Sequence, residues 1–431
     1  MVARIHRSLG SPSRRELGAV GVAVVLGVAL RLLVVVVTKG HVLNGDEIEY
    51  DIQGRFTAAG QWFWSTTPYG IPHPSLWKAP VYPGWVGLWY SVLGSGSYDR
   101  VLAVQAVVLG PATIGLTWLL GRRWLGPPVG VVAALIVAVY PFAFLGQVRL
   151  FSESVGVPLF LAVVLLVVGR KPSRGRVVAV GALMGVVLLT RPSWAFLFAG
   201  IAAAWVVAEG WRRGALATAA TVAIAALVVA PWTVRNHVVD GGWVPISVQD
   251  AAPYGTFNDD AANDEDYRWA WRPLTRRDAD LFDPANPMSD HELRARLRER
   301  AADYIREHPS SVPKATIYNG LIRTWDLRSP SSVVFEATTF QARPRPLVWA
   351  GVAGYYVLVA LTVVSVWRLR QERWLLIPLA ALVVAGTVTF TPVGTTRYRE
   401  PFEPLLAVLA ASTVVWLIGR IRQRRTRPAV G

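Results

Sequence analysis

The chain has 431 residues, 53% of them hydrophobic and only 17% charged, with a formal charge of +16 at pH 7. Its apolar residues fall in long blocks and not in helical or strand stripes, the composition of a polytopic membrane protein, and its arginines gather between those blocks, where they orient helices and do not form a nucleic-acid surface. The absence of cysteine excludes disulfides, thiolate nucleophiles and cysteine-ligated metals.

Residues 17–38 follow Arg4, Arg14 and Arg15 and are long enough to cross about 30 Å of hydrocarbon at about 1.5 Å per residue. No A-x-A-like cleavage site follows, so they read as a retained signal anchor. Further apolar blocks run at 101–121, 128–146, 153–169, 177–190, 194–208, 214–231, 346–367, 374–392 and 401–419, which predicts ten crossings. The basic clusters test that count. Arg122/Arg123, "GRKPSRGR" (169–176), Arg212/Arg213, Arg368/Arg370/Arg373 and Arg420 to Arg427 all fall on the side of the N-terminus, as the positive-inside rule requires. Block 81–94 (VYPGWVGLWYSVLG) is short and aromatic. Counting it as a span reverses the later clusters, so it reads as interfacial or re-entrant; the alternative is that it spans and another weak block does not.

The expected architecture is an all-α polytopic membrane protein with interfacial helices in its first outer loop and one large outer loop. Residues 1–231 form an N-terminal membrane module with outer loop 39–100, residues 232–345 an extracytoplasmic cap containing helix-like 289–309, and residues 346–431 the last crossings and a basic cytoplasmic tail. Both termini are expected in the cytoplasm of a multi-pass plasma-membrane protein, with 39–100, 147–152, the turn at Arg191, 232–345 and 393–400 outside.

"LNGDEIEYD" (43–51) places Asp46, Glu47, Glu49 and Asp51 in that outer loop. Acids at a helix start suit the positive end of the helix dipole, and capping alone accounts for them. Tyr50, four residues after Asp46, shares its helical face, and an outward carboxylate beside the bilayer can also take a proton from an incoming hydroxyl. Lys78 and Tyr82 in "LWKAPVYPGW" and Arg149 and Glu153 in "GQVRLFSESVG" lie at the same face. The basic groups fit either snorkelling anchors or substrate contacts, whereas a carboxylate entering hydrocarbon at Glu153 needs a cavity or a partner. Arg191 ends a block of roughly 21 Å, short enough to leave its guanidinium below the outer surface, where it suits phosphate. Arg397 and Arg399 in "TTRYREPFEP", flanking Tyr398, break the inside preference of arginine, which favours an anionic partner. Arg31, within the first crossing, needs a cavity, a partner or a lipid headgroup.

In this order "GDEIEY", "KAPVYPGW", "GRRWLG", "VRLFSESVGVPLF", "LLTRPSW", "APWTVRNHVVDGGWVPIS" and "RYREPFEPLL" resemble bacterial GT-C glycosyltransferases. The likeness is to the family 39-like group related to protein O-mannosyltransferases and the lipid A aminoarabinose transferase. It implies a GT-C bundle that moves a sugar, hexosyl or pentosyl, from a polyprenyl-phosphate donor to an acceptor hydroxyl on a glycan, lipid or protein. Asp46 would be the general base, Glu47 would orient the site, and Glu153 matches the family's second acidic position. Lys78, Arg191, Arg397 and Arg399 would neutralise the departing phosphate, with Tyr50, Tyr82, Arg149 and Tyr398 completing the substrate-binding set. Use of a divalent metal ion stays open, since two acids without a histidine pattern work with or without one. The soluble domain that some relatives carry after the last crossing is missing, and segment 232–345 matches mainly at its ends. The rival classes are a transporter or flippase of a lipid-linked or anionic solute, which would show inverted repeats, and a lipid-linked oligosaccharide ligase or polymerase.

Overall fold

The protein, described by a computed structural model, is defined over residues 10–66, 70–274, 276–283, 288–339, 341 and 343–425. The basic residues Arg4 and Arg427 lie outside these described residues. Helix α1 (Arg14–Val37) starts at Ser13, whose hydroxyl caps the backbone N–H of Glu16. Glu16 in turn holds Arg122 at 2.8 Å, tying α1 to the last turn of α4. Between these two long helices lie α2 (Asp46–Ala58), an antiparallel pair β1 (Trp64–Thr66) and β2 (Pro72–Pro74), and α3 (Val81–Leu93). The small ladder adds a strand element to a fold expected to be all helical. It is only three residues long because the prolines at both ends of β2 offer no N–H to extend it.

Block 81–94 is therefore a separate helix of 13 residues, packed on α2 and too short to cross a bilayer alone. The two helices approach so closely that a β-carbon on Gly87 would lie 2.3 Å from the Thr57 Cγ2. Glycine at this position lets α3 press against the helix that carries Asp46.

The chain continues as α4 (Tyr98–Leu125), α5 (Pro127–Val139), α6 (Glu153–Val167), α7 (Arg174–Thr190), α8 (Leu197–Glu209) and α9 (Trp211–Asp240). The long segment between α9 and α14 carries α10 (Asp259–Asn263), α11 (Asp290–Glu307), α12 (Ser311–Ala315), a π-helix (Thr316–Arg323) and α13 (Pro330–Thr339). Helix α11 begins with a full capping box between Ser289 and Glu292, the physical reason for the helix expected there. The last crossings are α14 (Arg345–Arg368), α15 (Arg373–Thr389) and α16 (Glu403–Arg425), the latter preceded by a 3-10 turn, Thr396–Phe402.

Ten helices among the described residues thus occupy the ten predicted apolar blocks: α1, α4 to α9 and α14 to α16. Six segments are long and apolar enough to cross a membrane, namely Arg14–Val37, Tyr98–Leu125, Pro192–Glu209, Trp211–Asp240, Arg345–Arg368 and Thr396–Gln423. Three more, Pro127–Val139, Glu153–Val167 and Arg373–Thr389, are apolar but shorter. The protein is an all-α polytopic membrane bundle.

Two hydrophobic clusters build its interior. One, with Phe160, Trp194, Phe196, Phe390 and Phe402, joins α6 to α8, α15 and α16; the other, with Tyr50, Tyr82, Tyr140 and Tyr355, joins α1 to α5 with α14. Edge-on and stacked ring pairs at 5.5–5.8 Å, such as Phe196 with Phe390 and Phe160 with Trp194, lock the first cluster. Tyr50 belongs to the second cluster while Tyr398 packs against the first, and the polar site lies at this seam. Within the first crossing Arg31 is fully buried and donates to the Gln147 side chain at 2.7 Å and to the Gly27 and Ala138 carbonyls, with its guanidinium 5.1 Å from the centre of the Phe144 ring. Of the three options the sequence left open, it takes a protein partner.

Candidate active site

Gly45, with φ at 57°, turns the chain from α1 into α2 in a conformation that favours glycine, so that Asp46 opens the helix. No side chain caps that helix. The Asp46 carboxylate points away from the backbone, taking the Lys78 ammonium at 2.5 Å on one oxygen and the Arg397 guanidinium at 2.6 Å on the other. Glu47 is turned to the backbone instead: its carboxylate accepts the N–H groups of Asn44 and Leu150 and holds the His41 ring at 3.2 Å, tying the start of α2 to the turn before α6. Adjacent acids at one helix start therefore have different occupations, one structural and one free of the backbone.

Lys78 sits in the loop before α3 and stands 5.1 Å over the Tyr50 ring, the residue expected on the Asp46 face. Arg397, on the 3-10 turn before α16, reaches past Asp46 to Glu153 at 2.7 Å, and Glu153, the first residue of α6, also holds Arg191 at 3.0 Å. Arg191 ends α7 in extended backbone, donates to the Ser152 hydroxyl and lies 4.8 Å from the Tyr398 ring centre. Arg397 in turn rests 4.4 Å over Phe151. Five charged groups from five separate stretches of chain thus form one chain of ion pairs, Lys78, Asp46, Arg397, Glu153 and Arg191. Its members differ in access: the Asp46 side chain is 27% exposed, against 7% for Lys78, 13% for Arg397 and 1% for Glu153. Asp46 is the carboxylate that a molecule from outside can touch.

Removal from water alone would raise the Asp46 pKa, but the attraction of Lys78 and Arg397 outweighs it and holds the carboxyl well below the usual carboxylate range. Lys78 shows the converse balance, its burial outweighed by Asp46 so that the ammonium is held above its ordinary value.

The other candidates lie around this cluster. Tyr82 is fully buried, edge-on to Tyr50, and donates to Gln105. Arg149 is 2% exposed on the Glu47 side. Arg399 is not brought to the cluster: its guanidinium turns inward to Asp326 at 2.9 Å and Glu403 at 2.6 Å and stacks 3.5 Å over Tyr355. Phe151, Ser152 and Asp326 are the contacts that the sequence did not single out. The first two lie inside the quoted "VRLFSESVG", beside Glu153, while Asp326 had no signal of its own.

All four carboxylate oxygens of Asp46 and Glu153 face lysine or arginine nitrogens, and no group of three His, Asp or Glu side chains suited to a metal ion occurs among the described residues. A divalent cation would have to share these oxygens with three cations, so the donor set does not fit a resident metal. It fits an anion, since three cations and two carboxylates carry a formal charge of +1.

Residues 77–234 match the family described as dolichyl-phosphate-mannose-protein mannosyltransferase. Among curated proteins no sequence matches. Of solved structures, the archaeal oligosaccharyltransferase AglB from Archaeoglobus fulgidus, tethered to an acceptor peptide, is similar over 96% of this chain and 51% of its own at TM-score 0.56 and 16% identity. The same enzyme in complex with an inhibitory peptide and a dolichol-phosphate aligns over the same shares at TM-score 0.52. ArnT from Cupriavidus metallidurans bound to undecaprenyl phosphate aligns over 91% and 77% at TM-score 0.41 and 17% identity. The chain spans about half the length of the oligosaccharyltransferase.

Proposed function

For a chain that has the GT-C membrane fold and carries a mannosyltransferase-family segment, we propose a membrane glycosyltransferase with Asp46 as its general base. It takes a sugar from a polyprenyl-phosphate donor and passes it to an acceptor hydroxyl on the extracytoplasmic face. The observation that carries this reading is the ion-pair chain itself. One accessible carboxylate, Asp46, is held between two cations, Lys78 and Arg397, with a third, Arg191, joined to them through Glu153, at the end of the bundle where a lipid-linked phosphate would lie.

In this mechanism the donor phosphodiester draws Lys78, Arg397 and Arg191 to its oxygens. Losing those partners raises the basicity of Asp46, which in the resting site is too strongly stabilised as an anion to accept a proton. The acceptor hydroxyl gives its proton to Asp46 as its oxygen attacks the anomeric carbon from the face opposite the phosphate. The bond from that carbon to the phosphate oxygen breaks, the configuration inverts, and polyprenyl phosphate leaves with a second negative charge.

Charge is balanced throughout. With the diester bound, three cations offset Asp46, Glu153 and one phosphate charge. After transfer they offset Glu153 and two phosphate charges, Asp46 having become neutral. Preorganised charge of this kind stabilises the transition state without further reorganisation. Glu153 holds Arg191 and Arg397 in their relative positions, Glu47 fixes the first turn of α2, and Arg399 anchors the turn that carries Arg397; these three are positioning residues.

The test is transfer by the purified protein in liposomes. A tritiated mannosyl polyprenyl phosphate is supplied with extracted envelope glycans and lipids, and products are identified by mass spectrometry. Labelled product formed by the native protein and lost in Asp46→Asn supports the reading. Product formed equally by both removes Asp46 as the base, and translocation of the label without product, unchanged by the substitution, assigns a transporter.

A further inference from the structure

A cavity of about 650 Å³ opens in the segment between α9 and α14, away from the ion-pair chain. Its wall combines the aromatic rings of Tyr267, Tyr318 and Phe335 with Arg323, Arg328 and Glu265. Arg323 is 6% exposed and has no carboxylate within ion-pair distance among the described residues; its Nη1 donates to Asn319. Burial pushes its guanidinium down to about 10, with Arg328 and Arg272 adding to the effect against the opposing pull of Glu336 and Asp264. A buried cation of this kind calls for an anionic partner.

The backbone around the cavity is also unusual. Tyr318, Ile322 and Arg323 project from a π-helix, a form concentrated at functional sites. Asn319 pins that helix to the Trp269 and Thr391 carbonyls. Among the described residues only Phe63, Trp269 and Asp326 combine a side chain with positive φ; Trp269, at φ 63°, follows the wall residue Arg268, and Asp326, at φ 48°, lies two residues before Arg328. Strain of this sort persists where the surroundings impose it and clusters at binding sites.

Asp326 also joins the cavity to the proposed active site. Its carboxylate faces Arg328 on the cavity wall at 3.6 Å and accepts from Thr396 and Arg399, on either side of Arg397 and Tyr398.

We propose that this cavity binds the acceptor, and that the acceptor is a carbohydrate bearing a carboxylate or phosphate held by Arg323 and Arg328. The apolar faces of its sugar rings lie against Tyr267, Tyr318 and Phe335, and Glu265 and Asp266 accept from its hydroxyls. Those same two acids disfavour a polyanionic peptide, which would meet them at close range. The proposal rests on the glycosyltransferase reading for the word acceptor, but its binding chemistry is tested without turnover.

The experiment is calorimetric binding to the full chain in nanodiscs, carrying Asp46→Asn so that no transfer occurs. The probes are a galactose trimer ending in one galacturonic acid, a mannose trimer ending in mannose 6-phosphate, and neutral galactose and mannose trimers. At least one acidic probe binds about tenfold or more tightly than its neutral counterpart, and Arg323→Gln abolishes that preference. Phe335→Ala, at a half-exposed position, weakens acidic and neutral probes alike and keeps the test open should Arg323→Gln not fold. Which acidic probe prevails distinguishes a uronate from a phosphorylated acceptor. Equal binding of acidic and neutral probes, a preference unchanged in Arg323→Gln, or tighter binding of a tetraglutamate peptide overturns the proposal. None of these results bears on Asp46-dependent transfer, and failure of transfer leaves this binding result standing.

Discussion

Arg397 donates to the carboxylate of Asp46 at 2.6 Å across 351 positions of sequence. The contact brings the start of α2 and the turn before α16 into one site. It also means that the carboxylates of Asp46 and Glu153 hold the cations that the proposed mechanism assigns to a phosphate. In that mechanism a phosphate ligand competes with internal carboxylates, and binding and base activation become one event.

Asp46→Asn keeps the shape of the side chain and removes its capacity to accept a proton. The expected outcome is a fall in kcat of about 100- to 10,000-fold, with polyprenyl-phosphate binding retained or tightened because an internal competitor is gone. Single-turnover transfer and a separate lipid-binding titration check the two halves.

Arg397→Ala removes the one group that touches both acids. Polyprenyl-phosphate affinity is expected to fall about tenfold or more. Arg397→Lys recovers only part of it, because a single ammonium does not reproduce the fork that reaches Asp46 through Nη2 and Glu153 through Nε. Unchanged lipid binding in the alanine variant would take Arg397 out of the phosphate clamp.

The pH dependence follows from the lowered pKa of Asp46. In the free protein Lys78 and Arg397 keep it ionised well into acid, whereas with the donor bound they are engaged elsewhere. The acid limb of kcat is thus expected at higher pH than the acid limb of kcat/KM. For stability the sign is that of a depressed carboxylate. The contribution is full above the unfolded value of about 3.9 and is lost as pH falls through the lower folded value. Melting curves of the native protein and Asp46→Asn should accordingly converge only below about pH 4.

Arg399 is expected to behave unlike Arg397, two residues away. Its removal leaves Asp326 and Glu403 buried without their shared cation, which costs about 3–5 kcal/mol. Arg399→Ala should lower the melting temperature and yield, while protein that remains folded binds polyprenyl phosphate within a small factor of the native affinity.

Gly87→Ala forces a methyl group into the Thr57 side chain and is expected to destabilise the α2–α3 contact by about 1–3 kcal/mol. Gly84→Ala, on the same helix with nothing within 4 Å of the added carbon, should be near neutral. Thermal unfolding in detergent compares the pair, and displacement of Asp46 in the first variant should appear as a lower kcat.

Six of the ten predicted crossings were legible because a bilayer demands about 20 apolar residues at each, whereas Pro127–Val139, Glu153–Val167 and Arg373–Thr389 are apolar helices shorter than that demand. The stretch 81–94 fell short of that length and is a separate helix on α2. Glu153 stood out because a carboxylate entering hydrocarbon needs a cavity or a partner, whereas Asp46, at a helix start where capping alone accounts for an acid, was marked by its place after the first crossing and by the family resemblance. The identity of those partners was not legible, since ion pairs between Asp46 and Arg397 depend on how the bundle closes. Arg397 and Arg399 looked equivalent in the sequence, but in a 3-10 turn side chains two apart diverge by roughly 120°. One therefore faces the site and the other the core. Glu47 and Asp46 separate for a similar reason, being neighbours on a helix and not on one of its faces.

Arg31 links the first crossing to the rest of the bundle. Its Nε donates to Gln147, in the turn after α5. A first crossing inserted alone would carry that cation into lipid unsatisfied and at considerable cost. The full set of Arg31 contacts, to Gly27, Ala138 and Gln147, exists only where α1, α5 and the turn after it pack together, so the depth of the first crossing is tied to two elements more than a hundred residues on.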